Sequence, residues 1–120
     1  MKIIIDLDGV LCPIKKPNQS YDELIPLPGA VERLRELSKN GNYIIIMTAR
    51  HMATCESNVG MVIKKLGKVT LDWLDKYKFE YDEIHFGKPN GDVYIDDRAI
   101  RFTSWGKITD NLLEEKARLR

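Results

Sequence analysis

Four short runs of β-branched and aromatic residues limit the folds open to this chain. They are "KIIID" (2–6), "YIIIM" (43–47), "EIHFG" (83–87) and "DVYID" (92–96). The runs are nearly continuous rather than alternating, which is typical of strands covered on both faces, as in a parallel sheet. Segments of helical periodicity lie between them, so right-handed strand–helix–strand crossovers are expected. We therefore predict an α/β fold with a three-layer, doubly wound (Rossmann-like) parallel sheet.

Helix signals occupy the segments between and after these runs. "PGAVERLRELSKNG" (28–41) has apolar residues at helical spacing and ends on a stop signal, and "VTLDWLDKYK" (69–78) has an apolar face. The preceding "ESNVGMVIKKLG" (56–67) contains two glycines, so we predict a loop there with two helical turns. Good helix formers in "ITDNLLEEKARLR" (108–120) predict a last helix.

Length and composition set the broad class. The chain has 120 residues, 43% of them hydrophobic, which suits a single domain over residues 1–120. Its net charge of +1 gives no field that would recruit nucleic acid or a membrane surface. No apolar run approaches the roughly 20 residues of a membrane span, and a charge follows the start too early for a signal peptide. We expect a cytoplasmic protein with its two cysteines, Cys12 and Cys55, reduced.

Two carboxylates end the first apolar run. Asp6 and Asp8 are separated by one leucine, and on a strand such positions face the same side. Two anions held that close are costly unless a cation accompanies them or one keeps its proton. The spacing therefore indicates a bound metal, or a nucleophile beside a proton donor.

Polar residues also follow the other apolar runs. The four tips carry Asp6 and Asp8, then "TAR" (48–50), then "GKP" (87–89), then Asp96 and Asp97 with Arg98. In doubly wound sheets the functional site lies at the carboxyl ends of the strands. A nucleophile, a proton donor and groups that bind three equatorial oxygens are what phosphoryl transfer requires.

In this order and at these strand ends, "DLDGV", Thr48, "GKP" and "DD" resemble the haloacid dehalogenase (HAD) superfamily of aspartate-nucleophile phosphatases. The resemblance covers residues 2 to about 98. It implies that Asp6 is the nucleophile and forms an aspartyl-phosphate, and that Asp8 is the proton donor and later the base. It also implies that Thr48 hydrogen-bonds a phosphoryl oxygen, while Lys88 neutralises that oxygen and holds Asp6 ionised.

The same resemblance implies a Mg²⁺ site. Asp6, the backbone carbonyl of Asp8, and Asp96 with Asp97 would supply an oxygen-rich ligand set, with Asp97 favoured as the direct ligand. The fourth motif lacks the glycine often found before its aspartate, so the division between Asp96 and Asp97 stays open.

HAD enzymes commonly carry a cap domain, and neither usual insertion point has room for one here. Residues 12–27 form only a loop, and residues 51–82 hold little more than a crossover helix. The site should be open, covered by the short loop or by a second subunit. The "TARHM...NVG" run resembles small capless members assigned to capsule or polysaccharide biosynthesis, which implies a small sugar or polyol phosphate as substrate. Candidate substrate contacts beside Thr48 and Lys88 are Lys15, Lys16, Arg50, His51 and Asn58.

Two alternatives remain at this stage. An open site also suits a macromolecular phosphate, such as a nucleic acid 3′-phosphate or a phosphoprotein, although the near-neutral charge disfavours nucleic acid. A receiver-like signalling domain also combines acidic residues, threonine and lysine on a doubly wound sheet. In this sequence, however, the last acidic pair follows the lysine, which fits the HAD order.

Overall fold

Three of the four apolar runs form a parallel sheet in a computed structural model of the chain, which describes residues 1–118. The strands are β1 (Lys2–Asp6), β2 (Tyr43–Thr48) and β3 (Glu83–Phe86). β2 lies in the centre and pairs in parallel with both neighbours, in the order β1-β2-β3. The predicted α/β class is confirmed, and this order is consistent with one half of a Rossmann-like sheet.

The central strand explains why these runs are so apolar. Ile44 and Ile46 lie two residues apart on the same face of β2, and both side chains are fully buried. Ile5 pairs with Ile46 in the register and is buried as well. This apolar core fixes the strand positions, and so it fixes where the polar residues at the carboxyl ends of β1 and β2 lie.

Helix α1 (Ala30–Lys39) connects β1 to β2 and confirms the first helix prediction. Its buried residues are Ala30, Leu34 and Leu37, at the spacing of one helical face. The residue before the helix, Gly29, has a φ of 83°, a left-handed conformation that glycine adopts without a steric penalty.

Helix α2 (Val59–Lys76) connects β2 to β3 and is longer than predicted. The sequence interpretation of residues 56–67 as mainly loop was wrong, because the helix continues through Gly60 and Gly67. The Asn58 side chain accepts a hydrogen bond from Met61 N and caps the helix start. One buried stripe then runs along the whole helix and outweighs the low helix propensity of the glycines; it consists of Val62, Leu66, Thr70, Trp73 and Leu74.

The fourth predicted strand was wrong. Within the described part of the chain, residues 92–96 form no strand, and Val93 and Ile95 are 75% and 98% exposed. Strand propensity is realised only where a run has a neighbour to pair with and a surface to pack on, and this run is solvent-exposed. These residues therefore form an irregular segment.

The described chain divides into two compact units, Met1–Asn90 and the residues from Gly91 onward. The second unit contains a 3-10 turn at Trp105–Lys107 and helix α3 (Asp110–Arg118). Residues 119–120 of the predicted last helix lie outside the described residues. The prediction of a single domain over residues 1–120 stays a prediction. None of the helices in residues 1–118 combines the length and apolarity needed to cross a membrane.

Candidate functional site

The carboxylate of Asp6 and the ammonium of Lys88 form an ion pair at the carboxyl end of the sheet. Lys88 Nζ lies 3.1 Å from Asp6 Oδ2, and Leu7 N donates a hydrogen bond of 2.8 Å to Asp6 Oδ1. Asp6 ends β1 and Lys88 follows β3, so the pair reaches across the central strand. Both side chains are partly accessible, at 35% for Asp6 and 22% for Lys88. A carboxylate with both oxygens oriented and one side open to solvent is suited to attack on a bound group.

Thr48 ends the central strand and holds two neighbouring segments in place. Its backbone carbonyl accepts a hydrogen bond from Lys88 N at 3.1 Å, and its Oγ1 accepts one from Arg50 N at 3.1 Å. The side chain is buried, and a hydroxyl that accepts one hydrogen bond can also donate one. The contact of Thr48 with a phosphoryl oxygen stays a prediction, whereas its backbone support of Lys88 is a feature of the structure.

Gly87 lets the chain pass the start of α2 on its way to Lys88. It has a φ of 103°, and a Cβ at this position would lie 2.8 Å from Val59 Cγ2. Any larger residue would therefore be strained and would collide with the first residue of the helix.

We predict that Gly87→Ala destabilises the protein by about 2–4 kcal/mol, from backbone strain and the collision together. Gly41→Ala is the matched control, because Gly41 has a φ of 88° but nothing within 4 Å of its would-be Cβ. Urea unfolding of both variants separates strain from collision. The double variant Gly87→Ala/Val59→Ala should recover part of the loss relative to Val59→Ala alone. Equal costs for the two glycine variants would contradict the collision.

A hydrogen-bonded turn follows β1 directly and contains Asp8. Leu11 N donates to Leu7 O at 2.8 Å, and Gly9 N donates to Cys12 O at 2.7 Å. Gly9 has a φ of 86°, so the sharp turn requires glycine at this position. The turn is closed by its own backbone hydrogen bonds, which gives Asp8 a defined starting position.

Arg50 binds the Asp8 carboxylate through both of its oxygens. Arg50 Nε lies 2.9 Å from Asp8 Oδ2, and Arg50 Nη2 lies 3.0 Å from Asp8 Oδ1. The Arg50 side chain is only 1% exposed, whereas Asp8 is 23% exposed. Substrate contact by Arg50 stays a prediction; in the structure its buried guanidinium binds the Asp8 carboxylate at the neighbouring strand end.

Two residues that the sequence interpretation missed complete the surroundings of Arg50. Arg50 Nη1 donates to Thr70 Oγ1 at 3.1 Å, and the guanidinium carbon lies 4.0 Å from the centre of the Tyr21 ring. Thr70 was assigned only to an apolar helix face, and Tyr21 lies in a loop without periodicity. The one available signal was the opposite charge of Arg50 and Asp8 at adjacent strand ends.

Cys12 lies against the same carboxylate and is unreactive in this setting. Its Sγ lies 3.4 Å from Asp8 Oδ1, and its side chain is fully buried. Burial, and next the negative charge of Asp8, raise the pKa of the Cys12 thiol to about 12. The thiol is therefore protonated at neutral pH and acts as a weak donor to Asp8 rather than as a nucleophile.

The loop between β1 and α1 borders this cluster and is attached to the core. Its 3-10 turn, Tyr21–Glu23, is followed by Leu24, whose carbonyl accepts a hydrogen bond of 2.7 Å from Trp73 Nε1. Leu24 and Trp73 are both buried. Within residues 1–118, neither this loop nor the α2 crossover contains an inserted domain. The open site expected from the short loops stays a prediction.

The other candidate substrate contacts lie around Tyr21 or on the surface. Lys15 Nζ lies 5.5 Å from the Tyr21 ring centre, and the His51 ring lies 5.9 Å from it. His51 has a left-handed φ of 55°, and among the described residues its buried Nδ1 has no hydrogen-bond partner. Lys16 is exposed, and the Asn58 side chain is used as the α2 cap. Substrate contact by these residues stays a prediction.

Asp96 and Asp97 belong to the second unit and are exposed. Arg98 N donates to Asp96 Oδ1 at 2.8 Å, and Arg98 Nε lies 4.0 Å from Asp97 Oδ1. Among residues 1–118, no three His, Cys, Asp or Glu side chains are gathered closely enough to hold a metal ion by themselves. The metal-binding role of Asp96 and Asp97 stays a prediction.

Comparison with known proteins identifies relatives but supplies no activity. No protein-family model and no curated protein matches the chain. A crystal structure described only as an MCSG target from Vibrio cholerae matches with 39% sequence identity and a TM-score of 0.83. The match covers 98% of this chain and 94% of that chain. At this identity and coverage, the chain belongs to the same protein family as the Vibrio cholerae protein.

Proposed function

We propose that this protein is a Mg²⁺-dependent phosphomonoester hydrolase that acts through an aspartyl-phosphate intermediate. The observation that carries the proposal is the pair of Asp6 Oδ2 and Lys88 Nζ, 3.1 Å apart at the carboxyl end of the parallel sheet. Asp8, two residues further on in the sequence, supplies a second carboxylate just beyond the end of β1. This is the proposed set of a nucleophile, a cation for the phosphoryl oxygens and a proton carrier.

In the first half of the reaction, an oxygen of Asp6 attacks phosphorus in line with the leaving oxygen. The new bond joins Asp6 to phosphorus, the bond from phosphorus to the leaving oxygen breaks, and Asp8 gives its proton to that oxygen. Lys88 lies beside the attacking carboxylate and stabilises the negative charge on the transferring group. The products of this half are the free alcohol and the phosphorylated Asp6.

In the second half, water releases the phosphate. Asp8, now a carboxylate, takes a proton from a water molecule whose oxygen attacks phosphorus. The bond between Asp6 and phosphorus breaks, which restores the Asp6 carboxylate and frees inorganic phosphate. Asp8 ends the cycle with the proton that it began with; the negative charge of the bound phosphate is what would favour this protonated form over the carboxylate that Arg50 binds in the structure.

The donors in the first unit fit Mg²⁺ in chemical type. The Asp6 carboxylate and the Asp8 backbone carbonyl are hard oxygen ligands, and the raised pKa of Cys12 keeps the nearby thiol from competing as a thiolate. Mg²⁺ is commonly held by one or two carboxylates together with water and substrate phosphate, which is compatible with so few protein donors. When bound, the ion supplies positive charge to the phosphoryl oxygens. We also propose, from the sequence resemblance alone, that Asp96 and Asp97 bind the ion.

The strand order argues against the receiver-like alternative. Flavodoxin-like domains, including receivers, have the order 2-1-3-4-5, in which β1 lies between β2 and β3. Here β2 lies between β1 and β3. This order, together with the lysine after β3, supports the proposal of an HAD-like, three-layer fold without a substantial cap.

We further propose a small sugar or polyol phosphate as the substrate, in line with the resemblance to capless enzymes of polysaccharide biosynthesis. The direct test is phosphate release from a panel of phosphomonoesters by the purified protein, with Mg²⁺ and with a chelator. The panel includes sugar, polyol, alkyl and nitrophenyl phosphates, a phosphopeptide and a 3′-phosphorylated oligonucleotide.

We expect Mg²⁺-dependent turnover of about 1–10 per second on the best small substrate, a typical enzyme range, and loss of turnover with the chelator. Preference for the phosphopeptide or the oligonucleotide would shift the proposal to a macromolecular substrate. Absence of release from every member of the panel would contradict the enzymatic function.

A further inference from the structure

We infer that Arg50 is the positioning residue that orients Asp8 for proton transfer, an inference that rests on the proposed function. Asp8 lies two residues beyond the end of β1, in an isolated bridge to Cys12, and its carboxylate also accepts a weak hydrogen bond from Cys12 Sγ at 3.4 Å. Arg50 binds both carboxylate oxygens, with Nε at 2.9 Å from Oδ2 and Nη2 at 3.0 Å from Oδ1. Two parallel donors fix the plane and direction of a carboxylate, which one donor cannot do.

Arg50 is itself held on its other sides. Nη1 donates to Thr70 Oγ1 at 3.1 Å, and the guanidinium lies 4.0 Å from the Tyr21 ring centre. Thr70 is fully buried on α2, so it is a fixed acceptor. Thr70 of α2 and Tyr21 of the loop therefore hold Arg50 in place, and Arg50 in turn orients Asp8.

The burial of Arg50 calls for a reason beyond stability. A buried ion pair is often no more stable than apolar residues of similar volume, because both charges lose hydration. Arg50 is buried to 1% exposure, yet its partner Asp8 remains 23% exposed. The Arg50 guanidinium is fixed in the interior, whereas the Asp8 carboxyl group remains accessible to solvent. This arrangement suits a buried residue that orients an accessible one.

The consequence for the reaction is specific to proton transfer. A misplacement of about 1 Å in a reacting group can cost a hundredfold in rate. Loss of Arg50 should therefore impair departure of an alcohol that needs a proton, but not departure of nitrophenolate, which leaves without one. The value of kcat/KM depends only on the steps up to formation of phosphorylated Asp6. It is therefore independent of the rate of the later attack by water.

The test compares kcat/KM of the wild-type protein and Arg50→Met on an alkyl phosphate and on nitrophenyl phosphate. We expect about a hundredfold loss on the alkyl phosphate and no more than about a fivefold loss on nitrophenyl phosphate. Arg50→Lys keeps the charge but supplies no fork of donors, so it should restore little of the alkyl activity. Arg35→Met, at an exposed arginine of α1, is the matched control and should change neither value.

Removal of a buried charge partner can also prevent folding, so Thr70→Val provides a second route. It removes the Thr70 hydroxyl that accepts from Arg50 and leaves Asp8 and Arg50 in place. We expect a loss of several-fold on the alkyl phosphate alone, with Thr54→Val at an exposed position as control.

The outcomes separate the two claims. A wild-type protein without activity on either substrate overturns the proposed function and this inference with it. An active wild-type protein whose Arg50→Met and Thr70→Val variants lose both substrates equally, or lose neither, overturns the positioning role alone.

Discussion

Replacing Asp6 by Asn is expected to abolish phosphatase turnover, with a loss of about ten-thousandfold or more, as for other covalent nucleophiles. The neutral amide has nearly the shape of the carboxylate, and its oxygen can still accept the hydrogen bond from Leu7 N that now binds Oδ1 at 2.8 Å. It cannot form the aspartyl-phosphate, because an amide is a poor nucleophile. The measurement is phosphate release, together with mass spectrometry of acid-quenched protein to detect phosphate on residue 6.

The fold should survive this change, because Asp6 is partly exposed and lies at the end of β1 rather than in its core. Urea unfolding and circular dichroism of the variant check that expectation. Asp72→Asn, at an exposed carboxylate of α2, is the control and should keep full activity. Turnover retained by Asp6→Asn, or phosphate found on another residue, would exclude the proposed nucleophile.

Replacing Lys88 by Met should lower kcat/KM by about a hundredfold to a thousandfold, the range for loss of one preorganised group that stabilises transition-state charge. The Nζ atom lies 3.1 Å from Asp6 Oδ2, and Met removes the charge while keeping a side chain of similar length. Because Lys88 is partly exposed, we expect its ion pair with Asp6 to add little to stability. The measurement is initial-rate kinetics on the best substrate of the panel.

Lys68→Met is the matched control for this variant. Lys68 also pairs with a carboxylate, with Nζ 2.6 Å from Asp72 Oδ2, but on the exposed surface of α2. Its loss should leave kinetics unchanged, since its side chain is 89% exposed to solvent. Equal effects of the two lysine variants would indicate a general charge effect and would contradict a specific role of Lys88.

Local sequence signals were sufficient for most of the first unit. β1, β2 and β3 were predicted from their apolar runs, and α1 from its periodicity and its Pro-Gly start. The first half of α2 was missed because Gly60 and Gly67 were given the weight of helix breakers. In the structure, the buried stripe and the Asn58 cap outweigh the propensity of two glycines.

The segment 92–96 shows the opposite error. Its composition is that of a strand, but Val93 and Ile95 lie exposed in the second unit. Pairing depends on a partner strand, and a single sequence carries no direct record of which strand that is.

Site residues that directly follow a strand could be predicted from the sequence. Contacts between side chains that are distant in sequence could not. Asp6 and Lys88 were selected by their positions at strand ends, and the structure brings them into contact. Arg50 and Asp8 are 42 residues apart in sequence, and Thr70 was assigned only to a helix face. Charge pairing between neighbouring strand ends is visible only once strand order is known, so the support of Asp8 emerged from the structure.

The hydrogen bond from Trp73 Nε1 to Leu24 O bears on substrate size. It fastens the loop bordering Asp8 to α2, so this loop is already in place before any ligand binds. A preformed loop loses little conformational freedom when a ligand arrives, and without a cap it does not enclose the far end of that ligand. The proposed function therefore predicts that selectivity comes from the first few atoms beyond the scissile bond, and that long or branched alcohols are tolerated at that far end.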